Sequence, residues 1–100
     1  MVQMKRGKPL LEKIFGENNT IKVLDFFLMG KDFDFTISHI RNGTGLSRTA
    51  INNAIQKLLE VEVIEKSRSD GKSDYYRINR KSNKYMLIEG LYQKIMVEIA

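Results

Sequence analysis

Cysteine is absent from the 100 residues, and with it go disulfides, thiolate metal ligands and thiol nucleophiles, a composition suited to a reducing cytosol. Histidine occurs once, as His39, so a single chain cannot assemble a metal site of the usual nitrogen and sulfur kind, and no cofactor is expected. His39 belongs to no recognisable nucleophile motif and reads as a surface or helix-packing residue. Gly43 and Gly45 lack the GxxxxGK(S/T) pattern of a phosphate loop. These absences leave no basis for catalysis, and no enzyme is expected. Long apolar runs are missing too: none approaches the ~20 residues of a membrane span, and Met1 to Lys8 has no signal-peptide core, so the chain reads as soluble and cytoplasmic, with no membrane partner. Proline occurs once; with 42% hydrophobic and 29% charged residues the composition is that of an ordinary globular protein. A chain this short buries roughly two-thirds of its unfolded surface, enough for one domain with a modest core.

The net charge is +5, from 17 Lys and Arg against 12 Asp and Glu, which favours anionic partners. The bases are not spread evenly. Residues 9 to 40 carry three bases against five acids, whereas residues 41 to 84 carry ten against five.

Met1 to Lys8, with Lys5, Arg6 and Lys8, shows no apolar periodicity and reads as a flexible basic arm. Pro9 fits the first position of a helix, and Leu10, Leu11, Ile14 and Phe15 supply an apolar face before Gly16. Asn18, Asn19 or Thr20 is placed to cap a second helix, in which Ile21, Leu24, Phe27 and Leu28 recur at helical spacing up to Gly30. Lys31 to Asp34 is a polar loop. Phe35 and Ile37 flank Thr36 as a very short strand would, and Ser38 starts a helix through Ile40 and Arg41 that Gly43 and Gly45 end.

Ser47 is a fitting N-cap for the most regular helix, about 48 to 60, because Ile51, Ala54, Ile55, Leu58 and Leu59 fall on one face. From Val63 the period changes to two. Ile64 to Ser67 and Tyr75 to Asn79 read as a β-hairpin with Asp70 and Gly71 as its tight-turn pair. Ser82 or Asn83 caps a last helix to about Ile99. Its stripe is Ile88, Leu91, Tyr92, Ile95 and Ile99, widened by Met86, Leu87, Met96 and Val97. The fold class is α+β, mainly α.

The helix at 48 to 60 carries the chemistry. Opposite its apolar stripe lie Thr49, Asn52, Asn53, Gln56 and Lys57, with Arg48 in the first turn, a face without an acid. Asn and Gln amides pair with adenine edges, and Arg or Lys donates to guanine or phosphate. Asn52, Asn53 and Gln56 are therefore candidates for base reading. Arg48 and Lys57, with Arg68 and Lys72 on the hairpin, are candidates for phosphate.

From Phe35 to Asn79 the sequence FTISHIRNGTGLSRTAINNAIQKLLEVEVIEKSRSDGKSDYYRIN resembles the core of winged-helix transcription regulators of the MarR and ArsR type, and LLEKIFGENNTIKVLDFFL before it resembles small archaeal regulators of that class. The likeness spans about residues 10 to 79. It implies a winged helix-turn-helix, with residues 9 to 81 as a double-stranded-DNA-binding domain and the hairpin as its wing. Its contacts would come from Ser47, Arg48, Thr49, Asn52 and Asn53, with Arg68 and Lys72 at the wing. It also implies a regulator, expected to repress, acting as a homodimer joined through residues 82 to 100 by Ile88, Leu91, Tyr92, Ile95 and Ile99. The residues identify no small-molecule effector, and the absence of cysteine removes support for metal sensing. Two positions depart from the pattern: Arg41 stands where a small residue usually lets the helices pack, and Glu62 where glycine is common after the recognition helix. A left-handed backbone at Glu62 would cost about 1 kcal/mol relative to glycine. The alternative is a winged-helix protein-interaction module that does not bind DNA.

Overall fold

The computed structural model describes residues 10–99, with side chains from Leu11 to Glu98. The expected basic arm and Pro9 lie outside the described residues. The elements are α1 (Leu10–Phe15), α2 (Asn19–Met29), α3 (Ile37–Thr44), α4 (Arg48–Glu60), β1 (Ile64–Ser69), β2 (Asp74–Ile78) and α5 (Asn83–Ile99). The two strands form one antiparallel sheet.

Helix α2 is the central packing element. Asn18 caps it by accepting the Ile21 N–H at 2.8 Å, and Val23, Leu24, Phe27 and Leu28 are buried. Phe27 is 0% exposed and meets the rings of Phe26 and Phe35 edge-on at 6.2 and 5.9 Å. Around it gather Ile40 of α3, the stripe Ile51, Ala54, Ile55 and Leu58 of α4, Ile64, Tyr76 and Ile78 of the hairpin, and Tyr85 of α5. Asp25 is also wholly buried. Its two carboxylate oxygens accept the N–H groups of Leu11 and Glu12 at 3.3 and 3.2 Å, so α2 caps the start of α1 with a side chain. A salt bridge of 3.2 Å between Lys22 and Glu12 adds to the joint.

Several boundaries differ from the sequence expectation. Helix α3 is capped by Thr36, two residues before Ser38: Thr36 Oγ1 accepts the His39 N–H while His39 Nδ1 accepts the Thr36 N–H, at 3.2 and 3.0 Å. This is a capping box with histidine in the place usually held by Glu or Gln. The helix also continues past Gly43 to Thr44. Gly43 does not end it; a Cβ there would overlap the Phe26 ring, so Gly43 provides the close approach to α2 and Arg41 is free to point outward. Phe35 forms a single bridge to Tyr76, with both hydrogen bonds at 2.8 Å. Strand β1 runs two residues further than expected, to Ser69, while β2 is shifted by one to start at Asp74 and end at Ile78, and four residues, Asp70 to Ser73, connect them. Asp70 Oδ1 accepts the N–H groups of Lys72 and Ser73 at 3.0 and 2.8 Å, a side-chain turn that replaces the tight pair. The pairing slips between Lys66 and Arg68, which leaves Ser67 as the extra residue of a bulge.

Helix α4 ends in a Schellman motif: the Val63 N–H bonds to Leu58 O and the Glu62 N–H to Leu59 O, both at 3.0 Å. Glu62 holds the left-handed position, with φ 66°. Helix α5 is capped by Ser82, whose Oγ accepts the Tyr85 N–H at 3.2 Å, and packs on α1.

Replacing Glu62 with glycine is expected to stabilise the fold by roughly 1 kcal/mol, or about 4–8 °C in Tm, measured by thermal denaturation. An unchanged or lower Tm would contradict strain at this turn. A second expectation concerns pH. Burial, opposed by the two backbone N–H groups, pushes the Asp25 carboxyl above its ordinary range. A raised folded pKa means stability present below the unfolded pKa and lost as pH climbs through the folded one. The stability of the native chain minus that of Asp25→Asn should therefore fall as pH rises through the acidic range. A difference independent of pH in denaturant titrations would refute this.

Candidate nucleic-acid interface

The interface begins with the turn between α3 and α4. Gly45, with φ 77° and ψ 4°, ends α3 in the left-handed region and its N–H bonds to Arg41 O at 2.8 Å. Leu46 then packs on the core, and Ser47 starts α4 by accepting the Ala50 N–H at 3.1 Å. One apolar residue thus fixes the turn while a hydroxyl satisfies the new helix.

Burial of Ile51, Ala54, Ile55 and Leu58 on one side of α4 turns the other side outward. Arg48, Thr49, Asn52, Asn53, Gln56 and Lys57 are all exposed, and so is Glu60, which falls four residues after Gln56 on the same side, so the face expected to lack an acid carries one in its last turn. Every α4 residue proposed from the sequence therefore lies on the free face, and Ser47 sits exposed at its head. Arg48 is held at one end by a hydrogen bond of 3.3 Å from Nη2 to Ser38 Oγ.

The hairpin stands beside this helix. Between them runs a polar groove of about 320 Å³ lined by Ser38, Arg48 and Asn52 on one side and Lys72, Ser73 and Asp74 on the other. Lys72 and Arg48 are thereby brought to one groove. Ser38 and Ser73 belong to it as well, and sequence reasoning missed them; serines carry no periodic signal, and only the approach of the hairpin to α3 brings these two together.

Charge sorts the basic residues into two groups. Lys66 pairs with Asp74 at 3.3 Å, Arg68 with Asp34 at 3.0 Å and Arg77 with Glu65 at 2.8 Å, while Arg80 pairs with Asp32. Among the described residues no carboxylate lies within 4 Å of Arg41, Arg48, Lys57 or Lys72, and these four sit on α3, α4 and the hairpin tip. Among the described residues the same holds for Lys13 on α1, Lys81 before α5 and Lys94 on α5, so what distinguishes the interface is that Arg48 and Lys72 share one groove, with Lys57 on the free face of α4 beside it. Arg68, proposed for phosphate, is 56% exposed but engaged by the chain itself: its guanidinium bonds to Asp34 and lies 3.7 Å over the Tyr75 ring. Hydrogen bonds from Arg68 and Ser67 hold the Asp34 carboxyl below its usual range.

Of the residues proposed for a dimer joint, Ile88 and Tyr92 pack on the chain's own core, Ile95 is half-buried and Leu91 is exposed. The Ile99 side chain lies outside the described residues. Among those residues no helix is long and apolar enough to cross a membrane.

No protein-family model matches the chain, and none of the curated proteins does. Solved structures do resemble it. ZitR of Lactococcus lactis, in the apo form of a double mutant, is 20% identical with a TM-score of 0.63 over 93% of this chain and 76% of that one. Two structures of the adhesin competence repressor AdcR of Streptococcus pyogenes, 13% and 14% identical, give TM-scores of 0.60 and 0.63 over 90% of this chain and 68% and 66% of theirs. The fold is the winged helix-turn-helix. In it α3 and α4 are the helix-turn-helix, α4 occupies the place of the recognition helix, and the β1–β2 hairpin is the wing.

Proposed function

We propose that the chain binds double-stranded DNA in a sequence-specific manner as a transcriptional regulator that represses, with α4 in the major groove and the wing against the flanking backbone. The observation that carries this reading is the exposed face of α4, where Arg48, Asn52, Asn53, Gln56 and Lys57 precede its one acid, Glu60, at the end of the helix, and where Arg48 and Lys72, which no carboxylate among the described residues neutralises, share the groove beside it. Asn52, Asn53 and Gln56 have the donor and acceptor pairs that base edges require. Arg48 and Lys72, on opposite sides of the groove, suit a phosphate strand passing between helix and wing. The fold shared with a protein named as a repressor supports the same direction. The ion pairs along the wing favour a second reading, a protein-interaction module, because they leave that hairpin with little net charge.

The regulator is proposed to act as a homodimer. On α5, Met86, Leu87, Leu91, Met96 and Val97 are exposed, with Leu87 and Val97 at 75% and 76%, and exposed Ile14 and Phe15 belong to α1, which packs on α5. An apolar surface of this kind is unfavourable in a monomer. A twofold joint there would pair two recognition helices on successive turns, ~34 Å apart, of a near-palindromic site.

Fluorescence anisotropy against random and selected duplexes across a salt series tests the DNA reading. Binding should weaken with a steep log–log salt slope. Asn52→Ala should lose about 1–3 kcal/mol of discrimination at one base pair, whereas Lys72→Ala should weaken all duplexes alike and flatten the slope by about 0.9. No affinity at low salt would leave the interaction module standing. For the dimer, sedimentation at micromolar concentration should give twice the chain mass, and Leu87→Glu with Val97→Glu should give a folded monomer. A native chain that sediments as a monomer would overturn the joint.

A further inference from the structure

The wing is anchored to the body mainly at its base. Ile64, Tyr76 and Ile78 are buried there, Phe35 and Tyr76 exchange two hydrogen bonds, and the Asn79 N–H bonds to Val63 O at 2.9 Å. The outer half, from Ser67 through the tip to Tyr75, projects beyond these contacts. A two-stranded ribbon of this kind has little stability by itself, so the direction in which its tip points needs another constraint. Among the described residues, one side chain of the body makes hydrogen bonds to that outer half. Asp34, in the loop between α2 and α3, accepts from Ser67 Oγ at 2.9 Å and from Arg68 Nε at 3.0 Å, both on Oδ2.

The geometry points to Asp34 as the positioning residue of the wing: it clamps the bulge at Ser67 and holds Arg68 so that Lys72 at the tip faces Arg48 across the groove. The contact continues to the tip through bonded groups. Arg68 lies over the ring of Tyr75, Tyr75 Oη donates to Asp70 Oδ2 at 3.4 Å, and Asp70 Oδ1 holds the backbone N–H groups of Lys72 and Ser73. The bulge supplies the attachment point, since the extra residue leaves the ladder and turns its hydroxyl to the loop. The His39 ring, 6.2 Å from Tyr75, borders the same cluster. In this arrangement Arg68 serves the wing's orientation rather than a phosphate, and the phosphate-facing charge of the wing is Lys72.

This inference rests on the DNA-binding reading, but its test separates the two. An acid beside a DNA interface repels phosphate, so simple electrostatics predicts tighter binding when Asp34 is removed. Positioning predicts the opposite. In fluorescence anisotropy with random-sequence duplex at low salt, Asp34→Ala should weaken binding by about five-fold, and Lys72→Ala, which weakens the native chain, should have little further effect in the Asp34→Ala background. Asp34→Asn, which keeps an acceptor for Ser67, should fall between. Equal or tighter binding by Asp34→Ala, or full additivity with Lys72→Ala, would overturn the assignment. Without DNA, hydrogen exchange of the amides from Ser69 to Asp74 should quicken in Asp34→Ala while the α4 amides, which report the intact fold, stay protected. Unchanged exchange at the tip refutes the clamp whether or not DNA binds. Faster exchange in a chain that binds no duplex would uphold the clamp and reject the DNA reading.

Discussion

Ile51, Ala54, Ile55 and Leu58 lie along one side of α4, and their burial against α2 around Phe27 is the interaction on which the interface depends. Burying three large aliphatic side chains contributes about 1.5–3 kcal/mol each before entropy is counted, so the orientation of α4 is not adjustable by surface forces. What remains outward follows from the 3.6-residue repeat: with the stripe committed to α2, the face bearing Asn52, Asn53 and Gln56 is left exposed. The Schellman turn then reverses the chain at Glu62 and delivers Val63 and Ile64 into the same core. That is why the hairpin emerges beside α4 and not elsewhere. A non-glycine residue is tolerated in the left-handed position because the turn is fixed from both sides by Leu58 and Val63, and by the hydrogen bond of Asn79 to Glu62 O.

Electrostatics works on that frame by subtraction. The bases of residues 41 to 84 look uniform in sequence, but folding pairs many of them with acids of the polar loop, the hairpin and the connection after α4. An exposed ion pair adds little stability. Its larger consequence here is to cancel charge on the wing's flanks and leave it standing on α4 and at the wing tip. In the proposed DNA complex, the charge left for phosphate is thus chosen by pairing as much as by position.

The periodic part of the fold was legible from the sequence, because α2 and α4 bury local stripes and each residue's role depends on near neighbours in the chain. The hairpin was legible from the change of period at Val63. What escaped depends on distant partners. Thr36 caps α3 with the help of His39, a pairing outside the usual Ser/Thr with Glu/Gln pattern. Gly43 stays inside α3 because of a Phe26 ring from another helix, which also explains why Arg41 can stand where a small residue was expected. In the candidate site, periodicity places the outward residues of α4 from Arg48 to Lys57, while Glu60, one turn further on, was missed because it stands at the frayed edge of the pattern. Arg68 was read only as an exposed base, since its partner Asp34 lies 34 residues away. Ser38 and Ser73 join the groove through tertiary approach alone.

The split surface of α5 bears on how the two ends of the fold cooperate. Tyr85, Ile88 and Tyr92 commit one side of the helix to the chain's own core, and Lys31 reaches Glu89 from the loop after α2 at 2.8 Å. The pair raises the lysine's affinity for its proton through that hydrogen bond and ties α5 to the same loop that carries Asp34. Loop residues Lys31 and Asp34, three apart, therefore contact the far helix and the wing respectively. At the other end, buried Asp25 of α2 caps α1, which in turn packs on α5. The surface proposed for pairing two copies and the hairpin proposed for contacting the DNA backbone are both referenced to α2, so the proposed dimer would hold its two α4 helices at a separation set by the packing on α2.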